Sequence, residues 1–269
     1  MTRGRRPGHS RPAGRRTAGT VPIERALSKL GVATRSEARR LIQAGRVSVR
    51  GRTIRDPREA VSPERGGLTI DGRGVERAGP ITIALNKPGG VVTTRHDPDR
   101  RRTVYDLLET LDAHVVPVGR LDYATSGLLL LTNDTRLADW LTDPVNAVLR
   151  VYLVTVRGEV RQADAGRLES GIESRGERLQ AQHVLVRKAS QRETHLVVEL
   201  SEGRNREVRR MMAAIGHEVT RLRRVQFGGI HLGRLASGDW RRLSDEELRR
   251  AFPGAPVSKN RLRATERRG

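Results

Sequence analysis

The sequence predicts an α+β protein with two domains, a small helical module followed by a larger domain with a mixed, largely antiparallel sheet. A chain of 269 residues has room for a large domain and a small one. Its second half alternates irregularly between strand-like and helix-like segments, with several strand-like segments adjacent, which is typical of α+β folds. No Gly-x-Gly-x-x-Gly pattern follows any of these strands, so a dinucleotide-binding fold is not expected.

The small domain is expected over residues 21–76. Its apolar spacing predicts a short helix that ends at Gly31. Thr34 stands three residues before Glu37 and forms a capping box for a second helix that continues through Ala44. The arginines of this region that are left for solvent or for phosphate are Arg35, Arg39, Arg40 and Arg46.

A linker at residues 77–80 is expected to lead into the larger domain at residues 81–252. Alternating or continuous apolar runs predict the strands, and 3.6-residue periodicity predicts the helices. The strand candidates are residues 81–86, 115–118, 127–132, 150–156, 194–200 and 218–225. The helix candidates are residues 135–142, 161–169, 205–216 and 244–252.

The charge of the chain is its most unusual bulk property. A formal net charge of +21 and a pI near 11.6 fit a polyanionic partner, either nucleic acid or an anionic membrane surface. The most apolar run, the four leucines at 128–131, is far shorter than the roughly 20 residues that a membrane-spanning helix needs. The arginine-rich beginning has no apolar segment behind it, so a secretory signal is not expected. The sequence thus favours nucleic acid over a membrane.

The two ends of the chain carry a large part of this charge. Residues 1–20 hold six arginines and no acid, and residues 253–269 are also basic and poor in apolar residues, so both are predicted to be disordered tails. The tails contribute +10, which leaves +11 for the remaining residues. Because the folded part is basic as well, we expect a binding surface there. The chain has no cysteine, which excludes disulfides and thiolate chemistry and agrees with a cytoplasmic protein.

An acidic residue stands at the entrance to the most apolar segment of the chain. In VGRLDYATSGLLLLTND, residues 118–134, Asp122 follows Arg120 and precedes a run of small residues and four leucines. An aspartate before such a turn usually caps it. The alternative is that Asp122 has a chemical role.

A second stretch, EGRNREVRRMMAAIGHEV at residues 202–219, places apolar and basic residues on opposite faces of a predicted helix. Such a stripe is either a solvated helix face or an anion-binding surface. The arginines in and before it are Arg204, Arg206, Arg209 and Arg210.

With ALNKPGGVVTT at residues 84–94 and RVYLV at residues 150–154, these two stretches resemble the pseudouridine synthases of the RsuA type. The segment TRSEARRLIQAGRVSVRG, residues 34–51, followed by LTIDG, resembles the S4 RNA-binding domain that precedes the catalytic domain in that group. The resemblance covers about residues 21–250 and is nearest to the large-subunit synthases resembling RluB.

The resemblance implies a role for three residues. Asp122 matches the family nucleophile in its GRLD motif, Arg209 matches the arginine that pairs with it, and Tyr152 matches the tyrosine that stacks on the target base and helps remove the C5 proton. The carboxylate could attack C1′ of the ribose or C6 of uracil, or act as a base. Burial alone would raise the pKa of an aspartic acid, so a nearby cation that lowers it by roughly 1–3 units is expected.

RNA contacts are expected from both domains. A-form RNA is recognised mostly through its shape and its phosphates, so arginines without an aromatic platform suffice, and the chain has only seven aromatic residues. The reaction requires no cofactor and no metal. Glu207 replaces the glutamine of many relatives, and the lysine common before the YLV strand is absent at Arg150 and Val151. The RNA-binding candidates of the larger domain are Lys87 and Arg120, which also shape the loop, with Arg204, Arg206 and Arg210.

The predicted partner is ribosomal RNA or a ribosome-assembly particle, with large-subunit RNA favoured and a monomeric protein expected. The competing hypothesis is a noncatalytic S4-type RNA-binding or ribosome-assembly factor. The intact set of Asp122, Tyr152 and Arg209 favours the enzyme. A DNA-binding protein is disfavoured because no helix-turn-helix or zinc pattern is present.

Overall fold

A computed structural model of the chain describes residues 19–33, 35–62, 66–75, 79–111 and 113–257. The chain forms two compact units, Met1–Arg77 and Ala78–Gly269, whose boundary lies in the expected linker. Most of both predicted tails and the predicted capping residue Thr34 lie outside the described residues.

The described residues of the small unit form two helices, α1 (Ile23–Lys29) and α2 (Arg35–Gln43). Its strands are β1 (Val21–Pro22), β2 (Val47–Val49), β3 (Arg52–Ile54), β4 (Ala60–Val61), β5 (Leu68–Ile70) and β6 (Arg73–Gly74). An antiparallel sheet has the order β3-β2-β5-β6, and β1 pairs with β4. The two helices bury one face against this sheet in a core of its own, which leaves the arginine face of α2 exposed.

The large unit is built on one mixed sheet. Its strands are β7 (Thr82–Lys87), β8 (Val116–Pro117), β9 (Ser126–Thr132), β10 (Arg150–Arg157), β11 (Ile172–Ser174), β12 (Glu177–Leu179), β13 (His183–Ala189), β14 (Glu193–Leu200), β15 (Val219–Phe227), β16 (Ile230–His231) and β17 (Trp240–Arg242). Its helices are α3 (Thr135–Thr142), α4 (Gln162–Ser170), α5 (Glu207–Ala214) and α6 (Asp245–Ala251), with 3-10 turns at Val104–Leu107 and Pro144–Asn146.

The strand order of this sheet is β13-β14-β10-β15-β9-β7-β17, with β16 beside β15 and β8 beside β9. Strands β9 and β15 run parallel, and the other described neighbours in the sheet are antiparallel. Strands β11 and β12 form a separate hairpin. The predicted α+β class with a mixed, largely antiparallel sheet is confirmed.

The four leucines of β9 are buried on both faces of the sheet, which explains their continuous run. Leu129 and Leu131 belong to one hydrophobic core, whereas Leu128 and Leu130 belong to the other. Helix α5 contributes to the first core through Met211. Helices α3 and α6 cover the second.

The prediction that a disordered tail begins at residue 253 is wrong for its first residues. Helix α6 delivers the buried ring of Phe252 into the second core, and Ala255 and Val257 pack against the same core. The segment Pro-Gly-Ala-Pro-Val therefore has enough apolar contact to stay ordered, and the described chain extends to Val257.

One glycine determines how closely β9 and β15 can approach. Gly127 has a φ of +104°, and a Cβ on it would lie 2.1 Å from the carbonyl oxygen of Arg224. Only glycine tolerates both this backbone conformation and this approach. The absence of a side chain at Gly127 therefore allows the start of β9 to lie directly against β15.

Candidate active site

The loop between β8 and β9 carries Asp122, and hydrogen bonds to its backbone carbonyl groups hold it in place. The amide of Thr125 donates to the carbonyl of Asp122 at 3.0 Å, and the amide of Gly90 donates to the carbonyl of Tyr123 at 2.8 Å. The hydroxyl of Thr93 donates to the carbonyl of Leu121 at 2.8 Å. These bonds fix the backbone on both sides of Asp122, whose side chain keeps 33% of its surface exposed.

Lys87 lies under this loop and not on the surface. Its side chain is fully buried, and its Nζ donates to the carbonyl oxygens of Pro88 and Thr125, both at 2.8 Å. Burial lowers the pKa of Lys87 to about 8, while the negative charge of Asp122 acts to raise it. Lys87 therefore shapes the loop as expected, but the prediction that it also contacts RNA phosphate is wrong for this conformation because no part of it reaches solvent.

Asp122 lies at a cavity of about 220 Å³ that is formed between its loop, strands β10 and β15, and the turn before α5. Tyr152 lines this cavity from β10, in register with Arg224 of β15. We call it the Asp122 cavity. The sequence-predicted residues that line it are Arg120, Asp122, Tyr152, Arg204 and Arg206.

Among the described residues, the cation closest to Asp122 is Arg206, whose Nη1 lies 3.6 Å from the Oδ2 of Asp122. Arg206 has a left-handed backbone with a φ of 49° and immediately precedes α5. Its side chain is therefore not directed as it would be inside the helix. For a residue other than glycine such a conformation is strained and is enriched at functional sites.

Arg209, expected as the ion-pair partner of Asp122, makes no ion pair with it. Its Nη1 donates instead to the carbonyl oxygen of Val219 at 2.9 Å. Burial lowers the pKa of Arg209 and the neighbouring Arg206 lowers it further, whereas Asp122 acts to raise it. Arg209 and Asp122 thus interact over a longer distance than an ion pair. Arg206 occupies the position beside Asp122 that was predicted for Arg209.

The other arginines of this unit that were predicted to bind RNA differ in their exposure and in their acidic partners. Arg120 is exposed at the cavity. Arg204 donates to Glu202 at 2.9 Å, and Arg210 donates to Glu177 at 2.5 Å. Arg210 keeps only 12% of its side chain exposed, so it fixes the β11–β12 hairpin to α5 rather than pointing to solvent.

The four arginines predicted to bind RNA in the small unit are all exposed. Arg39 pairs with Glu24 at 3.0 Å, and Arg46 pairs with Asp71 at 2.5 Å. Within the described residues, Arg35 and Arg40 have no acidic partner.

Among the described residues, four buried polar residues that were not predicted as site residues line the cavity: Thr125, Arg150, Glu207 and Arg224. The sequence singled out Arg150 and Glu207 only as departures from the family pattern. The guanidinium groups of Arg150 and Arg224 each lie 5.0 Å from the ring centre of Phe227. Burial lowers the pKa of Arg150. Burial raises the pKa of Glu207, which is only 4% exposed. Arg150 is the first residue of β10, and Arg224 is one of three arginines in β15, so the sequence offered no clear signal for either.

Among the described residues, no helix is both long and apolar enough to cross a membrane. That same part of the chain holds no group of three or more His, Cys, Asp or Glu side chains placed to bind a metal ion.

Comparison with known proteins shows to which protein family the chain belongs. The family model described as RNA pseudouridylate synthase matches residues 81–214, and the S4 domain model matches residues 21–65. A solved structure titled as a pseudouridylate synthase superposes with a TM-score of 0.58 at 27% identity, covering 85% of this chain and 98% of that one.

Curated relatives agree. A protein of Aquifex aeolicus (strain VF5) named as an uncharacterized RNA pseudouridine synthase is 39% identical, over 86% of this chain and 94% of its own length. The ribosomal large subunit pseudouridine synthase B of Bacillus subtilis (strain 168) is 35% identical, over 88% of this chain and 98% of its own. The chain therefore belongs to the RNA pseudouridine synthase family, with an S4 domain before the synthase domain. It is an isomerase that acts on uridine in RNA.

Proposed function

We propose that this protein converts one uridine of large-subunit ribosomal RNA to pseudouridine, with Asp122 as its nucleophile. The observation that carries the proposal is the position of Asp122 at a cavity that Tyr152 also lines, with the guanidinium of Arg206 3.6 Å from the carboxylate. The RNA class is supported by relatives named as ribosomal large subunit pseudouridine synthase B, in Bacillus subtilis and in Vibrio vulnificus (strain CMCP6), the latter 38% identical over 84% of this chain and 72% of its own length.

The reaction rearranges bonds within one nucleotide. The C1′–N1 bond breaks, the uracil turns, C5 bonds to C1′, and the proton on C5 is transferred to N1 of the product by way of protein or water. A carboxylate assists the first step either by bonding to the nucleotide or by acting as a base, and it is released unchanged at the end. No redox change occurs in this sequence of steps.

The surroundings of Asp122 suit this role. The guanidinium of Arg206 lies 3.6 Å from the carboxylate, and the charge of Arg209 also interacts with it. Lys87 and Gly90 donate hydrogen bonds to the loop, so the backbone that carries the carboxylate is already ordered before the substrate binds. Tyr152 lines the cavity, and its proposed role is to stack on the target base and to assist the removal of the C5 proton.

The target base must leave its stack to reach the cavity, which costs a few kcal/mol that RNA contacts have to offset. The exposed arginines of the S4 unit, Arg35 and Arg40 above all, supply such contacts through phosphates. We infer that the protein acts in the cytoplasm as a monomer, on ribosomal RNA or on a ribosome-assembly particle.

The test is pseudouridine mapping at nucleotide resolution in ribosomal RNA from cells that lack the gene. The cells are complemented with the wild type, with Asp122→Ala, or with Asp139→Ala, which removes an exposed carboxylate of α3 outside the cavity. One large-subunit site should vanish in the deletion strain and return with the wild type and Asp139→Ala only. Return of the site with Asp122→Ala would refute the nucleophile, and an unchanged map would favour a noncatalytic RNA-binding factor.

A further inference from the structure

Tyr123 is the one exposed aromatic residue in the part of the chain that the structure describes, with 48% of its surface accessible to solvent. All seven aromatic residues lie in the described ranges, and the other six are buried or half-buried. A single exposed apolar residue is ordinary on a protein surface. Tyr123, however, directly follows Asp122, so their Cα atoms are about 3.8 Å apart, and its side chain is not part of the lining of the Asp122 cavity.

The backbone and the hydroxyl end of Tyr123 both lie against neighbouring groups. The amide of Gly90 donates to the carbonyl oxygen of Tyr123 at 2.8 Å, and Lys87 Nζ lies 3.5 Å from the same oxygen. A Cβ on Gly90 would lie 3.7 Å from the hydroxyl oxygen of Tyr123, so the end of the ring lies beside this glycine. Tyr123 therefore offers an exposed ring whose position is already restrained.

Arg101 lies beside the ring of Tyr123. Its guanidinium carbon is 5.8 Å from the ring centre, which is within the range of a cation–π interaction. Asp97 holds this guanidinium with two hydrogen bonds, from Nη2 to Oδ1 at 2.7 Å and from Nε to Oδ2 at 3.0 Å. Because such a bidentate contact fixes the plane of the guanidinium, Arg101 is a fixed neighbour of the ring.

The loop that carries Arg101 places further positive charge in this region. Arg100 and Arg102 are exposed on either side of Arg101. The same loop is joined to the Asp122 loop by the hydroxyl of Thr93, which donates to the carbonyl oxygen of Leu121 at 2.8 Å. An exposed aromatic ring among arginines is the combination that binds unpaired nucleotides, because the base stacks on the ring and the phosphates contact the cations.

The target uridine has to leave its stack to reach Asp122, which removes a stacking partner from each adjacent base. A ring that lies next to Asp122 but outside the cavity is suited to replace that partner. We propose that Tyr123 stacks on an unpaired base that flanks the target uridine, with Arg101 keeping the ring in place. The inference rests on the proposed function, because it requires the target uridine to enter the Asp122 cavity. It makes the adjacent nucleotide part of the recognised substrate.

Two substitutions at one position separate the ring from the rest of the side chain. Tyr123→Leu keeps an apolar side chain but removes the ring, whereas Tyr123→Phe keeps the ring and removes only the hydroxyl. Since the side chain is exposed, neither change should disturb the fold. Val145→Ala is the control for truncation of an exposed apolar residue, because Val145 is 87% exposed and does not line the cavity.

The experiment measures equilibrium binding of a short RNA that contains the uridine identified by mapping. Four further RNAs each carry one abasic nucleotide, at one of the two positions on either side of the target. Turnover is prevented by an Asp122→Asn background in every protein. Comparing the effect of base removal between proteins cancels the stacking that is lost within the RNA itself.

We expect one abasic RNA to bind the parent about tenfold more weakly than the intact RNA, as for loss of one base–aromatic stack. In Tyr123→Leu the intact RNA should bind about tenfold more weakly than to the parent, and the same base removal should then cost about twofold or less. Tyr123→Phe and Val145→Ala should both keep the roughly tenfold response to base removal.

Two results would overturn the inference. One is an equal effect of base removal in the parent and in Tyr123→Leu at all four positions, which includes a uniform loss of affinity for every RNA. The other is a Tyr123→Phe protein that behaves like Tyr123→Leu, because the hydroxyl and not the ring would then make the contact. Should Tyr123→Leu fail to fold, Tyr123→Met, which also lacks a ring, takes its place.

A separate assay distinguishes this failure from failure of the proposed function. Protein with Asp122 and Tyr123 intact is incubated with the intact RNA, and pseudouridine is measured. If pseudouridine forms while no position responds to Tyr123→Leu, the stacking inference alone is wrong. If no pseudouridine forms, the proposed function is wrong and the inference is rejected with it.

Discussion

The arginines of the S4 unit and those of the Asp122 cavity differ in what surrounds them. On α2, Arg35 and Arg40 are exposed and lack an acidic partner among the described residues. In the cavity, Arg150 and Arg224 are almost fully buried and flank the ring of Phe227. An exposed charge contributes to affinity through phosphates and is screened by salt, whereas a buried charge acts at short range in a low dielectric.

Because of this difference, the net charge of +21 cannot be treated as one property. The surface arginines should determine how tightly RNA binds and how strongly binding depends on salt. The cavity residues should determine how fast and on which base the enzyme acts. Variants in the two regions should therefore separate affinity from rate.

The largest of the four effects is expected at Tyr152. Tyr152→Phe keeps the stacking ring but removes the hydroxyl, so the single-turnover rate should fall by about 10²–10⁴-fold if the hydroxyl assists proton removal. Affinity for RNA should stay the same. Rapid-quench measurement of pseudouridine with saturating enzyme gives the rate. A Tyr152→Phe rate within about threefold of the wild type would restrict Tyr152 to stacking.

Gly127 should have the next largest effect, through stability. Gly127→Ala places a Cβ against the carbonyl of Arg224 and should lower the free energy of unfolding by about 3 kcal/mol or more, from backbone strain and overpacking together. Gly176→Ala is the control, because Gly176 also has a positive φ, +74°, but has open space at its Cβ; it should cost only about 1 kcal/mol.

Urea unfolding followed by tryptophan fluorescence measures this difference. Both tryptophans, Trp140 and Trp240, belong to the large unit, so the signal reports that unit alone. Equal decreases of stability in the two variants would mean that the close approach of β9 and β15 does not constrain the site.

Lys87 should make the stability of the large unit depend on pH. Its pKa is about 8 in the folded protein because of burial, and roughly 10.4 in an unfolded chain. Between these values the unfolded state binds more protons, so stability should rise with pH relative to Lys87→Met, by an amount on the order of 1–3 kcal/mol. Tryptophan-detected urea unfolding of both proteins from about pH 7 to about pH 10 checks this. Parallel curves would contradict the depressed pKa.

The smallest effect is expected in the S4 unit. Arg35→Gln with Arg40→Gln should weaken RNA binding severalfold and reduce the salt dependence by about 0.7–0.9 in the log–log slope for each phosphate that is no longer neutralised. The saturated rate should not change. Arg39→Gln with Arg46→Gln should change the slope less, because those arginines already pair with Glu24 and Asp71. Equal slopes in the two double variants would show that the acidic partners do not matter.

Much of this molecule follows from periodicity and turn signals. The apolar run at residues 127–132 predicted a strand, which the structure buries on both faces, and the order of S4-like and synthase-like motifs predicted two units. Asp122, Tyr152 and Arg206 were all nominated from the sequence and line one cavity. What each of them does in catalysis stays a prediction.

Helix boundaries explain one error. The resemblance assigned Arg209 as the partner of Asp122, but α5 begins at Glu207, and Arg206 has a left-handed backbone just outside it. One residue at the helix start therefore decides which arginine lies nearest Asp122.

Burial explains the other differences. Lys87 was misassigned because a lysine after an apolar strand usually reaches solvent, whereas here backbone carbonyls of the loop replace water. The burial of Arg150 and Arg224 depends on strand register, and the burial of Glu207 depends on where α5 begins, which no local pattern reveals.

The role of Asp122 is best examined with purified protein and a large-subunit ribosomal RNA transcript. Pseudouridine formation is followed under single-turnover conditions for the wild type, Asp122→Asn and the exposed-site control Asp139→Asn, with RNA affinity measured in parallel. We predict that Asp139→Asn matches the wild type, and that Asp122→Asn binds RNA equally well but reacts at least roughly 10⁴-fold more slowly. An Asp122→Asn rate within about tenfold of the wild type would contradict the assignment of Asp122 as the nucleophile.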